Sequence, residues 1–325
     1  MIIKDKVYGE QKIDDPLIIE LINSPEMQRL KGVGQYSTWK LINPRLNTTR
    51  FEHCFGVYCL LKRFEASFDE QIAGLLHDIN HTAFSHVIDY VLGDPSTQDY
   101  GDSQHKEIFM NSTIPSLLAK RNIDASKISE HDNFGLLERE LPDLCCDRLD
   151  YCLRDAICCG FIKQEDVDRI LNGLVVCNGE IICKNKDSAF LIAKLFLKMS
   201  KYLWTNEVNA GSYLILANAL KIALKNKIIK ENDFYTTDKA LLDKLIKSRN
   251  KKIIELLNKI NKGLITLGTK EDYDIYSKSK VRYVDPKFID HGKLRKLSEV
   301  DADFKKEIDK FKEGIKKGFY IKIKK

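Results

Sequence analysis

Residues 75–86 read LLHDINHTAFSH, and the fold turns on this stretch. Ile72, Ala73, Leu75 and Leu76 recur at helical spacing and lead into His77 and Asp78. His77 and His81 stand four apart, so they share one face if the helix continues, with Asp78 beside the first. Imidazole nitrogen together with carboxylate oxygen suits a borderline or hard divalent ion such as Fe, Mn, Zn, Co or Ni.

Working outward, Phe55, Val57, Leu60, Leu61 and Phe64 follow His53 as one helix, and CCDRLDYCLRDAICC (145–159) predicts another that carries Asp147. His53, His77, Asp78 and Asp147 then form a four-ligand set from three helices. It leaves coordination positions open for water and substrate, which a catalytic metal needs. Tyr151, Arg154 and Asp155 follow Asp147 at four, seven and eight, so all project from one helical face. Arg50 and Arg148 lie next to or near these ligands and are candidates to grip phosphate oxygens by paired hydrogen bonds.

The flanks read as mostly helical. Residues 16–30 predict two helices parted at Ser24 and Pro25, and residues 32–50 (GVGQYSTWKLINPRLNTTR) a long loop, a kind often functional in compact domains. The polar run GDPSTQDYGDSQ (93–104) precedes a helix near His105. Two β-prone runs, LVVC and EIIC, flank Asn178 and Gly179 as a hairpin. Helices are expected over 189–227 and 239–262, and VRYV (281–284) and FYIKIK (319–324) read as strands.

A chain of 325 residues with 43% hydrophobic residues can bury a sizeable core. It shows no signal-peptide pattern and no apolar run of membrane-spanning length, and its nine cysteines suit buried thiols of a reducing compartment, so a cytoplasmic protein is expected. Residues 305–325 hold nine Lys against Glu307, Asp309 and Glu313, which equals the whole formal charge of +6. A solvated basic tail is the plain reading, and contact with nucleic acid is the alternative.

RFEHCFGV (50–57), LLHDINHTAFSH and DRLDYCLRD (147–155), in that order, resemble the histidine-aspartate (HD) domain superfamily, and most closely its deoxynucleoside triphosphate triphosphohydrolases, including the type with a sterile alpha motif. The likeness extends from SPEMQRLKGVGQ (24–35) through the hairpin. It implies a mainly α fold: an HD-domain helical bundle with small β-hairpins and a mixed α/β C-terminal extension, divided as a core over 1–225 and an extension with the Lys-rich tail over 226–325. By position it implies His53, His77, Asp78 and Asp147 as metal ligands, with Mg as a further ion arriving with substrate. His81, His86, Asp89 and His105 would line the phosphate and leaving group, and Gln35, Arg50, Arg148, Tyr151 and Asp155 would touch phosphate, sugar or base. The implied reaction is attack of water on the α-phosphorus of a nucleotide, expelling the nucleoside and leaving inorganic triphosphate, with His86 as general acid and Asp89 orienting a neighbouring His. Family members act as oligomers, so a homo-oligomer, most simply a two-fold dimer, is expected.

Several positions depart from the family pattern. Asn80 replaces a Gly, Thr82-Ala83 replaces Gly-Pro, Arg148 stands where Lys is common, and Lys106 separates His105 from Glu107. Where relatives carry Tyr and His with a basic neighbour, this chain reads KYLWTNEVNAG (201–211), putting Asn206, Glu207 or Val208 in cationic positions. That predicts a weak hold on long phosphate chains, with Lys198 helping the two arginines, Glu207 opposing them, and Tyr36 and Trp204 narrowing the sugar end. A hydrolase of nucleotides or shorter phosphate esters and a nucleotide-sensing module both fit these residues. His131 and His291 read as ordinary histidines. Cys145, Cys146, Cys158 and Cys159 read as packing residues, because adjacent pairs lack the gap of a zinc knuckle.

Overall fold

Thr49 and Glu52 decide where the first central helix begins. The Thr49 hydroxyl accepts from the Glu52 N–H at 3.2 Å and the Glu52 carboxylate accepts from the Thr49 N–H at 2.8 Å, a reciprocal cap that starts the helix Arg50–Arg63. Arg50 therefore sits at the first helical position and His53 one turn in. The computed structural model describes residues 1–93, 100–261 and 263–324. Part of the polar run at 93–104 thus lies outside the described residues; its end, from Tyr100, already belongs to the helix Tyr100–Met110 that carries His105.

Ser67 caps the next helix, Phe68–Leu76, which packs antiparallel to the first across a short connection. It stops at His77, so His77 and His81 do not share a helical face as their spacing suggested. The chain instead turns through residues 77–84 and enters a 3₁₀ helix, Ser85–Tyr90. Phe84 and Ser85 hold φ values of 59° and 46°, left-handed backbone that disfavours continuation for residues with a Cβ. Distant partners clamp this turn. The Asp238 carboxylate accepts from the Phe84 N–H at 2.7 Å and from the Gly34 N–H at 2.8 Å, and the Ala83 N–H donates to the Phe234 carbonyl at 2.7 Å.

The third central helix, Cys146–Cys158, crosses the first at Gly56, where a Cβ would stand 2.0 Å from Asp150 Oδ1. Only a residue without a side chain lets these two helices approach so closely. The long loop at 32–50 is ordered by backbone bonds between its ends, Gln35 N–H to Thr48 carbonyl at 3.0 Å and Arg50 N–H to Val33 carbonyl at 2.9 Å, and it contains a short helix, Trp39–Ile42.

The expected hairpin forms as Leu174–Cys177 and Glu180–Cys183, and joins Lys287–Asp290 and Lys293–Lys296 in a four-stranded sheet. FYIKIK supplies the central strand, Phe319–Ile323, of a second sheet between Ile265–Leu267 and Ile275–Ser277. VRYV is not a strand: residues 281–284 run irregularly, with Val284 buried in the main core. The Lys-rich end is helical too. Ala302–Lys316 buries Phe304, Ile308, Phe311 and Ile315, spaced four, three and four, and leaves its lysines facing solvent. Two large apolar clusters result. One gathers residues 7–208 with Val284, Phe288, Leu297, Phe304 and Ile308; the other gathers 83–90 with 210–265 and Ile321. Among the described residues no helix is long and apolar enough to cross a membrane.

Candidate active site

The three central helices end on one another's side chains. His53 Nε2 stands 2.9 Å from Asp147 Oδ1 and 3.2 Å from His77 Nε2, and His77 Nε2 is 3.4 Å from the same Asp147 oxygen. Asp78 closes the group, 3.6 Å from His77 and 3.7 Å from His53. His53, His77, Asp78 and Asp147, grouped in the sequence reading by residue type and by the family resemblance, therefore converge.

Behind them, a second row sets the tautomers. Asp150, on the same helix as Asp147, takes a hydrogen bond from His53 Nδ1 at 2.7 Å and is itself gripped by two nitrogens of Arg154 at 2.9 and 2.8 Å, while Arg154 also reaches Asp5 at 3.0 Å. His77 Nδ1 donates to the Gly74 carbonyl at 2.8 Å. With each Nδ1 donating, both Nε2 lone pairs point inward, toward Asp78 and Asp147. Two lone pairs facing two carboxylates repel one another unless a cation lies between them. Donors about 2.1 Å from one ion stand about 3.0 Å apart in octahedral and about 3.4 Å in tetrahedral arrangement, the separations seen among His53, His77 and Asp147, with Asp78 slightly farther off. The residues fit a divalent metal.

The electrostatics agree with that fit. Burial opposes protonation of His77, but Asp78 and Asp147 outweigh it and push its pKa well above the ordinary value; burial works against the charge of Asp78 and Asp147, but Arg50 for the first and His53 for the second hold them well below the usual carboxylate range.

A cavity of about 720 Å³ opens over this cluster, a size typical of small-molecule sites. His81 Nε2 meets Asp78 Oδ1 at 3.1 Å, and burial with the Arg50 charge lowers its pKa to about 4. Its ring lies against His86, whose Nδ1 is 3.4 Å from Asp89 Oδ2; Asp89 sits behind His86 and does not line the main cavity. His105 donates from Nδ1 to Asn80 at 3.0 Å, and burial lowers its pKa to about 4. Asn80, the departure from the family's Gly, is thus the residue that orients His105.

Of the expected substrate residues, Gln35, Tyr151 and Asp155 line the cavity beside Tyr36 and Trp204. Asp155 accepts from the Trp204 indole at 2.7 Å, and burial raises its pKa to about 7. Arg50 also lines the cavity, held by Asp78 at 2.6 Å and Ser85 at 3.0 Å. Arg148 reaches the cavity while bound to Glu138 at 2.7 Å and the Asp143 carbonyl at 3.2 Å, so contact with a phosphate requires exchange of those partners.

Five residues depart from the sequence reading. His131, read as an ordinary histidine, stands in the cavity wall with its ring centroid 3.9 Å from that of His105. Nothing in its local sequence, EHDN, marks it. Glu207 does not line the cavity, because it begins the helix Glu207–Lys225 and Asn209 faces inward instead; Lys198 packs its ammonium 3.8 Å from the Phe161 ring, also away from the cavity. Arg282, from the segment 281–284 read as a plain strand, and Lys280 just before it do line it.

The family profile of the HD domain matches residues 50–155, the span holding all four converging residues. Over 324 residues the chain is 36% identical to the uncharacterized protein YdhJ of Bacillus subtilis, covering 99% of both chains. It is 34% identical over 220 residues to the metal-dependent phosphohydrolase cns2 of Cordyceps militaris, covering 66% of this chain and 63% of that one. The crystal structure of a phosphohydrolase from Bacteroides thetaiotaomicron has the same fold, with a TM-score of 0.70 over 100% of both chains at 16% identity. Profile, full-length relative and donor geometry meet in one conclusion: the chain belongs to the HD-domain metal-dependent phosphohydrolases.

Proposed function

We propose that the substrate is a nucleotide and that the reaction is hydrolysis of a deoxynucleoside triphosphate by water at the α-phosphorus, giving nucleoside and inorganic triphosphate. The observation that carries this reading is a single cavity in which the His and Asp cluster faces an aromatic wall of Tyr36, Trp39, Tyr151 and Trp204. The cluster suits a phosphate and the wall suits a base or sugar, whose flat apolar faces pack on rings.

When bound, a divalent ion at His53, His77, Asp78 and Asp147 lowers the pKa of water and polarises a phosphoryl oxygen. The chain's own groups then divide the remaining work. His81, neutral because burial and Arg50 disfavour its proton, is a hydrogen-bond partner and not a store of acid. Burial and Arg50 lower the pKa of His86 and Asp89 opposes them only in part; what sets His86 apart is its position beside that carboxylate in the cavity wall, and on this reading it protonates the leaving sugar oxygen as charge develops there. His105 and His131 each keep an Nε2 without a hydrogen-bond partner among the described residues, buried in the same wall; with Nδ1 of His105 carrying the proton, its Nε2 can accept from a water or a sugar hydroxyl, while an Nε2–H on His131 can donate to a phosphate oxygen.

A product-resolved screen of nucleoside mono-, di- and triphosphates with Mn, Fe, Co and Mg tests this. Nucleoside and triphosphate are the expected products, and His77→Ala or Asp78→Ala should remove both bound metal and turnover while the fold survives. Release of pyrophosphate with a nucleoside monophosphate, or activity indifferent to chelators, would overturn it.

A further inference from the structure

The described chain opens with a hairpin, Ile2–Asp5 paired with Gly9–Lys12, whose residues do not line the cavity. Asp5 shapes its turn. One carboxylate oxygen accepts from the Val7 N–H at 2.7 Å and from the Tyr8 N–H at 3.0 Å, the way a short acidic side chain closes the turn that follows it. The other oxygen accepts from Arg154 at 3.0 Å, and the Arg154 guanidinium also lies 5.7 Å from the centroid of the Tyr8 ring. Two further ties hold the hairpin: the Gln164 amide donates to the Val7 carbonyl at 2.7 Å, and Lys6 pairs with Glu52 at 2.9 Å.

A continuous path therefore leads from the His and Asp cluster out to the N-terminal hairpin. His53 Nδ1 donates to Asp150, Arg154 holds both oxygens of Asp150, and Asp5 takes a third N–H of Arg154. The side chains of Asp150, Arg154 and Asp5 are 0, 2 and 2% exposed, so water screens none of them. Arg154 and Asp150 alone would form a neutral pair. Asp5 sets a second carboxylate against the one guanidinium, and the three groups then carry one net negative charge. Buried excess charge is unfavourable unless a partner lies close. On the cavity side the group in direct contact is His53, whose Nδ1–H points at Asp150. Negative charge behind a donating Nδ1–H makes the imidazole a stronger base at Nε2, the atom that faces the cluster.

We infer that Asp5 is a positioning residue of the metal site: by sharing Arg154 it leaves Asp150 charged toward His53, so the docked N-terminal hairpin raises the affinity of the cluster for a divalent ion. The coupling is reciprocal by thermodynamic linkage, so a bound ion also holds the hairpin in place. It rests on the fit of the four residues to a metal and not on which phosphate ester is hydrolysed.

The test uses the full-length chain. Wild type, Asp5→Asn, Asp150→Asn, the double variant and Gln164→Ala are titrated with Mn and with Zn against a chelator, with thermal unfolding alongside. Asp5→Asn keeps an oxygen for the Val7 and Tyr8 N–H groups and removes the charge. It should weaken metal binding by about tenfold or more, the scale of losses for groups behind a metal ligand. In the Asp150→Asn background it should add little, since it acts through that carboxylate. Gln164→Ala unties the hairpin without touching the charge, and should lower the melting temperature while leaving the affinity of the folded chain as in wild type. Wild-type affinity in Asp5→Asn, its full effect persisting in the double variant, or an equal loss in Gln164→Ala would overturn the inference, the last two because they describe plain structural support. Failure of the wild type to bind either metal would overturn it too, together with the metal fit of the four residues. Should a variant fail to fold, hydrogen exchange on the unaltered chain decides. Metal should slow exchange of the Val7 and Tyr8 amides more than that of the strands Ile275–Ser277 and Phe319–Ile323, and equal or absent slowing would show that hairpin and metal are not coupled.

Discussion

Asp155 is buried at the end of the aromatic wall, where loss of solvent outweighs the hydrogen bonds from Trp204 and Tyr36 and lifts its pKa to about 7, against 3.8 for the free side chain. A folded-state pKa above the unfolded one means the folded chain holds the proton more tightly. Its contribution to stability is full below about pH 4 and is lost as pH rises toward 7. Asp155→Asn should therefore raise the melting temperature at pH 8 and leave it nearly unchanged at pH 4. The gain is at most about 4 kcal/mol, at about 1.36 kcal/mol per pKa unit. Thermal unfolding at the two pH values decides it, and an equal effect at both would show that burial does not govern this carboxyl. Such single-residue chemistry was only partly legible beforehand. The convergence of His53, His77, Asp78 and Asp147 could be read because each sits at or near a helix end whose apolar spacing is plain. The place of His131 could not, because only packing against His105 brings it to the cavity.

Helix contacts carry the next level. The crossing of Arg50–Arg63 with Cys146–Cys158 depends on Gly56, where a Cβ would meet Asp150 and Arg154 at 2.0 and 2.1 Å. Both are buried members of the row that orients His53, and flexibility at one is restrained by its bonds to the other. Gly56→Ala is expected to destabilise the chain by about 1–3 kcal/mol through overpacking and, by displacing Asp150, to lower metal affinity about tenfold or more. Urea unfolding and competition with a chelator measure the two effects; a destabilised protein with unchanged affinity would separate Asp150 from metal binding. Helices and the Asn-Gly hairpin were readable because periodicity and turn chemistry are local. The end of Phe68–Leu76 at His77 was not, since the left-handed turn after it is held by Asp238, 154 residues from Phe84. VRYV failed for a related reason: an alternating pattern fits a strand and an extended segment anchored on helices equally well.

At the scale of the molecule, the apolar cluster around the central helices includes Val284, Phe288, Leu297, Phe304 and Ile308, and the strand Lys287–Asp290 adds parallel to Glu180–Cys183. We take residues 226–325 as an extension of the 1–225 unit and not as a separately folding one. Trp39 and Trp204, the two tryptophans, both line the cavity. Their fluorescence and far-UV circular dichroism should report coincident transitions in denaturant, and a chain cut after residue 225 should lose cooperative unfolding. A separate, later transition in the fluorescence signal would show two independent units. None of this long-range pairing has a local signature, which is why the sequence reading noted missing cations near position 207 and did not find Lys280 and Arg282 in the cavity lining.

The alternation at 280–283 also bears on inheritance. Positions 281 and 283 answer to the core, while 280 and 282 answer to whatever lies in the cavity. The four residues that fit a metal lie far away in the sequence, between 53 and 147, so substitutions at 280 and 282 change the charge of the cavity wall without touching them. One short segment thus carries two separate constraints, packing at alternate positions and cavity chemistry at the others, and either can drift while the other holds.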